Sequence, residues 1–188
     1  IAAVLNLSPN HLDRHKTFEN YTRAKEMIFR NQKANDHLIL NYDDPMVRRM
    51  AKKSKSSVLF YSQSPLPNGI FWENHMIMMK RGKAEKTLFD PAYFQLKGMH
   101  NLQNIMAVVA VGNILKLPRD KMQKSLNAFK TLEHRIEPLG EVRGVRFVND
   151  SKSTTVESTR AAICFFKAAD SRSLSRTSPS SASACRSA

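Results

Sequence analysis

The chain opens on five apolar residues, Ile1-Ala2-Ala3-Val4-Leu5, which break directly into the polar segment Asn6-Leu-Ser-Pro-Asn-His-Leu-Asp-Arg-His15. An apolar run this short reads as a buried strand, and the Asn, Ser and Pro after it read as a loop leaving the strand's end. In open α/β sheets ligands bind beyond the carboxyl ends of the strands, so His11 and Asp13 stand where a site is expected. A helix follows, with Thr17 suited to its N-cap and Glu19 to its positively polarised first turn. Phe18, Tyr21, Lys25 and Ile28 share one helical face, which sets a lysine on an otherwise apolar stripe. A partly desolvated lysine gives up its proton more readily and becomes a nucleophile or a modification site. The plainer alternatives are a Lys25 that snorkels from the edge of the stripe and a His11 that only caps a loop.

The strand–loop–helix succession recurs. His37–Asn41 reads as a short buried strand, Asp44-Pro45 as a helix start leading into 46–51, and Val58–Tyr61 as a third strand. Adjacent Asp43 and Asp44 suggest either a metal pair or a helix cap, and the cap is the reading their place before Pro45 favours. Ile70–Trp72, Met76–Lys80 and Thr87–Phe89 are short strands separated by turn residues, a small antiparallel patch. Met76, Met78 and Met79 have no Cys or His partners and read as packing. A long apolar helix runs through Ile105, Val108, Val109, Ile114 and Leu115 to about Leu117. Asn101 and Asn104, three apart, put their amides on one face near its positive end. Arg119–Phe129 is a second helix with Met122, Leu126 and Phe129 on one stripe. A hairpin turning at Arg143-Gly144 then delivers the polar loop Asn149-Asp-Ser-Lys-Ser-Thr154 ahead of a helix from Val156 to about Phe166.

Four of these segments, in this order, carry a resemblance. They are His11-Leu-Asp13 followed by Lys25, Gly98-x-His100-Asn101-x-x-Asn104, His134-Arg135-x-Glu137, and Asn149-Asp-Ser-Lys-Ser-Thr154; Asn41-x-Asp43-Asp44-Pro45 agrees with them. Together they resemble the Mur ligases, ATP-dependent enzymes that add amino acids to the peptidoglycan precursor, and the last segment resembles the branch that adds D-glutamate. Glu133, where proline is usual, and Thr155, where asparagine is common, depart from the family pattern. The resemblance implies an α/β fold: part of a central ATPase domain over 1–131, a mostly parallel sheet with a small antiparallel patch, then the start of a Rossmann-like C-terminal domain over 132–167. It implies ATP, UDP-N-acetylmuramoyl-L-alanine and D-glutamate as substrates and Mg2+ as cofactor, in a cytoplasmic enzyme expected to act as a monomer. By the same resemblance His11 binds the metal, and Lys25 is carbamylated and also serves it; a carbamate is an oxygen ligand of the kind a hard cation prefers. Asn101 and Asn104 fall at the nucleotide site, Arg135 on ATP, Asp150 on the ribose, Lys152 on the phosphates and Thr154 on the incoming D-glutamate. A guanidinium stays charged and grips phosphate bidentately, although Arg135 also suits a surface ion pair with Glu137 or Glu141.

Bulk properties bound the alternatives. The 188 residues are 41% hydrophobic, enough for the core of a domain or a domain and a half. The net charge of +14 is spread along the chain without interleaved stacking aromatics, which favours a solvated basic surface. A basic nucleic-acid-binding module remains the alternative from another class, and a sister amide ligase of the Mur or folylpolyglutamate synthase type the alternative within this one. Two cysteines make no disulfide framework, and no apolar run approaches the length of a membrane span. The first residue is Ile1, no glycine-rich phosphate loop with its Lys and Ser/Thr occurs, and eight of the last twenty residues are Ser. The expectation is a fragment, inactive alone, ending over 168–188 in a disordered Ser/Arg tail that reflects a shifted or truncated reading frame rather than a genuine RNA-binding tail.

Overall fold

The computed structural model describes residues 1–9, 12–96, 98–129, 132–156, 158–160, 162, 163 and 166. His11 and the Ser-rich segment lie outside the described residues. The chain divides into two units, Ile1–Phe129 and Lys130–Ala188.

The first unit is built on a six-stranded sheet whose strands lie side by side in chain order. These are β1 (Ala2–Val4), β2 (His37–Asn41), β3 (Ser57–Ser62), β4 (Gly69–Glu73), β5 (Met76–Arg81) and β6 (Ala84–Phe89). Strands β1 to β4 are parallel and β4 to β6 antiparallel. The antiparallel patch is therefore continuous with the parallel sheet, joined through Tyr61 opposite Ile70 and Ser62 opposite Phe71. The parallel strands read as continuous apolar runs because both faces are covered. On one face Ala2, Val4, Leu38 and Leu40 pack with Phe29, Val47 and Met50. On the other, Ile39, Tyr61 and Ile70 pack beneath Leu102, Ile105, Met106 and Val109.

Five helices surround the sheet: α1 (Leu12–His15), α2 (Phe18–Glu26), α3 (Pro45–Arg49), α4 (Met99–Ile114) and α5 (Arg119–Ala128). Local chemistry sets their starts. The Asn20 N–H donates to Thr17 Oγ1 at 3.1 Å, and the Met46 and Val47 N–H groups donate to Asp44 Oδ1 at 2.9 and 3.1 Å. Gly98 opens α4 with φ +97, a conformation that glycine adopts without a Cβ penalty.

Two faces, those of α2 and α5, differ from the sequence reading. In α2, Tyr21 and Thr22 are buried while Lys25 is exposed and Ile28 is 57% exposed. After Glu26 the helix tightens into a 3-10 turn, Met27–Phe29. That turn advances the chain further per residue around the axis, so Phe29 rather than Ile28 turns inward. In α4 the inward stripe is Leu102, Ile105, Met106, Val109 and Ala110, and Val108 and Leu115 face outward. In α5, Met122 and Leu126 pack on the core, but Phe129 has left helical geometry at the C-cap and is exposed.

The second unit contains the expected hairpin, β7 (Glu137–Val142) and β8 (Val145–Asn149), turning at Arg143-Gly144. Its described residues from 156 to 166 are helical. No helix among the described residues is long and apolar enough to cross a membrane.

Candidate nucleotide and ligation site

The expected site residues fall in both units. In the first, Lys25 lies on the exposed face of α2, its ammonium 5.2 Å from the centre of the Tyr21 ring. The desolvation that the apolar stripe suggested is absent, because the helix buries Tyr21 and Thr22 instead. Asn101 occupies the first turn of α4, half-buried, and Asn104 the next turn, exposed.

The ends of β2 and β3 are tied together. Asp43 Oδ1 accepts from the Ser62 hydroxyl at 2.6 Å and Oδ2 from the Gln63 N–H at 2.8 Å, while the Asp43 N–H donates to Asn41 Oδ1 at 2.9 Å. Buried Tyr61 donates its hydroxyl to Leu5 O at 3.2 Å. Burial, and after it the charges of Asp43 and Asp44, push the Tyr61 pKa well above the ordinary tyrosine range. The raised value means that stability tied to Tyr61 is complete below the unfolded-state pKa, about 10, and is lost as pH rises from there toward the folded value. Tyr61→Phe is therefore expected to flatten the alkaline loss of stability. Circular dichroism through alkaline pH checks this, and identical profiles for the two proteins would refute it.

In the second unit, hydrogen bonds interlock two of the sequence segments. Glu137 Oε2 accepts from the His134 N–H at 2.8 Å and from Asn149 Nδ2 at 3.2 Å, and Asn149 Nδ2 lies 2.8 Å from His134 Nδ1. The Lys152 N–H donates to His134 O at 3.2 Å. Asp150 Oδ1 accepts from the Ile136 N–H at 3.1 Å, and Oδ2 accepts from the Ser153 hydroxyl. The cross-ties hold His134 at φ +65 and Ile136 at φ +48, left-handed backbone that is rare for a β-branched residue.

This arrangement decides the question left open for Arg135. Glu137 is engaged by His134 and Asn149, and Arg135 has no ion pair among the described residues. Arg135, Lys152 and Thr154 are all exposed. Two cations thus stand on a loop pair that is pinned from behind, a surface suited to phosphate oxygens. Sequence reasoning offered Glu137 or Glu141 as ion-pair alternatives to phosphate for Arg135. The residues it missed as organisers are Glu137 and Asn149, whose only signal was their place inside the two motifs.

Residues 1–112 match the Mur ligase middle domain. The chain belongs to the Mur ligase family. Mur ligases are ATP-dependent amide ligases. The chain is 42% identical over 164 residues to a UDP-N-acetylmuramoylalanine--D-glutamate ligase of Koribacter versatilis (strain Ellin345). It is 40% identical over 165 residues to one of Thermoanaerobacter sp. (strain X514). Each match takes in 87% of this chain and 36% of the relative, so the chain spans about a third of the length of these proteins. Among solved structures it is similar to MurF from Acinetobacter baumannii, with TM-score 0.68 at 18% identity over 85% of this chain and 35% of that one. It is also similar to a MurF ligase from Thermotoga maritima in complex with ADP, with TM-score 0.61 at 21% identity over 86% and 37% of the two chains. These structural likenesses establish the shared fold of a Mur ligase, a mixed α/β sheet that is parallel apart from its last strands.

Proposed function

We propose that this chain is part of a cytoplasmic enzyme that joins D-glutamate to UDP-N-acetylmuramoyl-L-alanine at the expense of ATP. Its similarity to D-glutamate ligases, at 42% and 40% identity over 164 and 165 residues, carries this reading. In the reaction, the L-alanine carboxylate attacks the γ-phosphorus and ADP leaves. The amine of D-glutamate then attacks the acyl phosphate, loses a proton, and expels inorganic phosphate as the amide forms. Arg135 and Lys152 offset charge on the phosphates, Asp150 holds the ribose, Asn101 and Asn104 flank the nucleotide, and Thr154 receives D-glutamate. Residues 1–131 supply the ATPase part, 132–167 begin the C-terminal ligase domain, and the intact enzyme acts as a monomer.

The family's magnesium falls to His11 and to a carbamate on Lys25 in this reading. Among the described residues no three His, Cys, Asp or Glu side chains group as a metal site, and the ammonium of Lys25 is not itself a ligand. The chemistry of the ion, when bound, is to offset phosphate charge.

The chain has no glycine-rich phosphate loop, and phosphoryl transfer depends on positioning the γ-phosphate. It is therefore expected not to turn over by itself. ADP release that requires both UDP-N-acetylmuramoyl-L-alanine and D-glutamate would overturn that expectation. For binding, Arg135→Ala and Lys152→Ala are each expected to weaken ATP by roughly tenfold or more, the worth of a hydrogen bond to a charged group. Calorimetric titration checks it, and unchanged affinity in both variants would remove these residues from the nucleotide site.

A further inference from the structure

The adjacent carboxylates Asp43 and Asp44 point to different strands. Asp43 ties the end of β2 to Ser62 and Gln63 at the end of β3. Asp44 divides its two oxygens. Oδ1 caps α3, and Oδ2 accepts the N–H of Leu7, 37 residues earlier, at 2.8 Å. Leu7 belongs to the loop that leaves β1, and Leu5 in the same loop is held through its carbonyl by Tyr61. No helical or sheet hydrogen bond could serve the Leu7 N–H there, because the loop lies beyond the three residues of β1 that pair with β2.

We infer that Asp44 is a positioning residue that fixes the β1 loop at the ligand end of the sheet. The inference rests on the proposed ligase function for what that loop presents, and on the hydrogen bonds of Asp44 for the tie itself. A helix cap alone needs one oxygen acceptor. The second oxygen gives a backbone N–H at the strand end a charged acceptor, which is stronger than a neutral one. The loop is thereby held at the carboxyl end of a parallel strand, where ligands of open α/β sheets bind.

Asp44→Asn separates the two roles. Asparagine is as good an N-cap as aspartate, so its oxygen keeps the two α3 bonds. Its NH2 group then faces the Leu7 N–H, donor against donor. Amide hydrogen exchange on the 188-residue chain should show Leu7 protection falling about tenfold or more in Asp44→Asn, the loss of one charge-assisted bond, with Met46 and Val47 unchanged. Tyr61→Phe, which releases Leu5 O, should loosen the same loop without touching the cap. In the parent chain ATP should shift the Leu7 and Ser8 amide resonances, and in Asp44→Asn that shift should be lost or moved to higher ATP concentration. Unchanged Leu7 protection in Asp44→Asn would overturn the tie, and an unaltered ATP response would reduce Asp44 to a structural residue. An ATP response absent from the parent chain would count against the nucleotide reading and so against a positioning role, while Leu7 exchange would still decide whether the tie exists.

Discussion

Alanine at Gly69 is expected to cost the first unit about 3–5 kcal/mol, combining backbone strain of about 1–3 kcal/mol with a comparable overpacking penalty. Gly69 has φ +140, and a Cβ there would sit 2.6 Å from Phe60 O and 2.9 Å from Leu66 Cδ1. The first neighbour is backbone of the adjoining strand, which cannot rotate away as a side chain can. The clash falls where the sheet is thinnest in pairing, since β3 and β4 share only the Tyr61–Ile70 and Ser62–Phe71 pairs. Pushing β4 away would detach the antiparallel strands from the parallel ones. Domain stabilities are about 5–15 kcal/mol, so the variant should lose much of its margin in urea unfolding. A loss under about 1 kcal/mol would show that the strand end relaxes and that the close approach is not rigid.

Phe94→Ala is expected to cost about 3–5 kcal/mol, the range for emptying a buried aromatic site. Phe94 is 1% exposed and its ring centre lies 6.3 Å from that of Phe89. Between β6 and the first turn of α4 the described residues form a short 3-10 turn, Pro91–Tyr93, started by Asp90, which accepts from the Ala92 N–H at 2.8 Å. Phe94 is thus the side chain that anchors this crossing in the same cluster as Leu102, Ile105 and Met106. Its loss should release the start of α4, and with it Asn101, before the rest of the sheet. Hydrogen exchange resolved along α4 checks this. Phe94→Leu should restore most of the stability, and equal loss in both variants would point to the ring's shape rather than its volume.

Much of this architecture was legible in the sequence because local chemistry specifies it. Thr17 and Asp44 cap the helices they were expected to cap, Arg143-Gly144 turns the hairpin, and the apolar runs at 1–5, 37–41 and 58–61 supply adjacent parallel strands. Ile28 was misread because a stripe on a helical wheel assumes constant winding, and the 3-10 turn after Glu26 changes the phase and buries Phe29 instead. The bond between Glu137 and Asn149 was not legible, because proximity in sequence offers Arg135 as a neighbour, whereas the hairpin brings Asn149 beside Glu137 from twelve residues away.

The sequence by itself determined where many of the strands and helices begin and which elements alternate, since capping, turn geometry and periodicity act over a few residues; the family came from the resemblance of its motifs. Only the tertiary structure decided that β4 carries the antiparallel strands on the edge of the parallel sheet, that Asp43 and Asp44 bond to separate strand ends, and that Arg135 has no acidic partner among the described residues. Those outcomes depend on which backbone N–H groups and carboxylates the folded chain brings within 3 Å of one another, and pairings across tens of residues are set by packing rather than by local order.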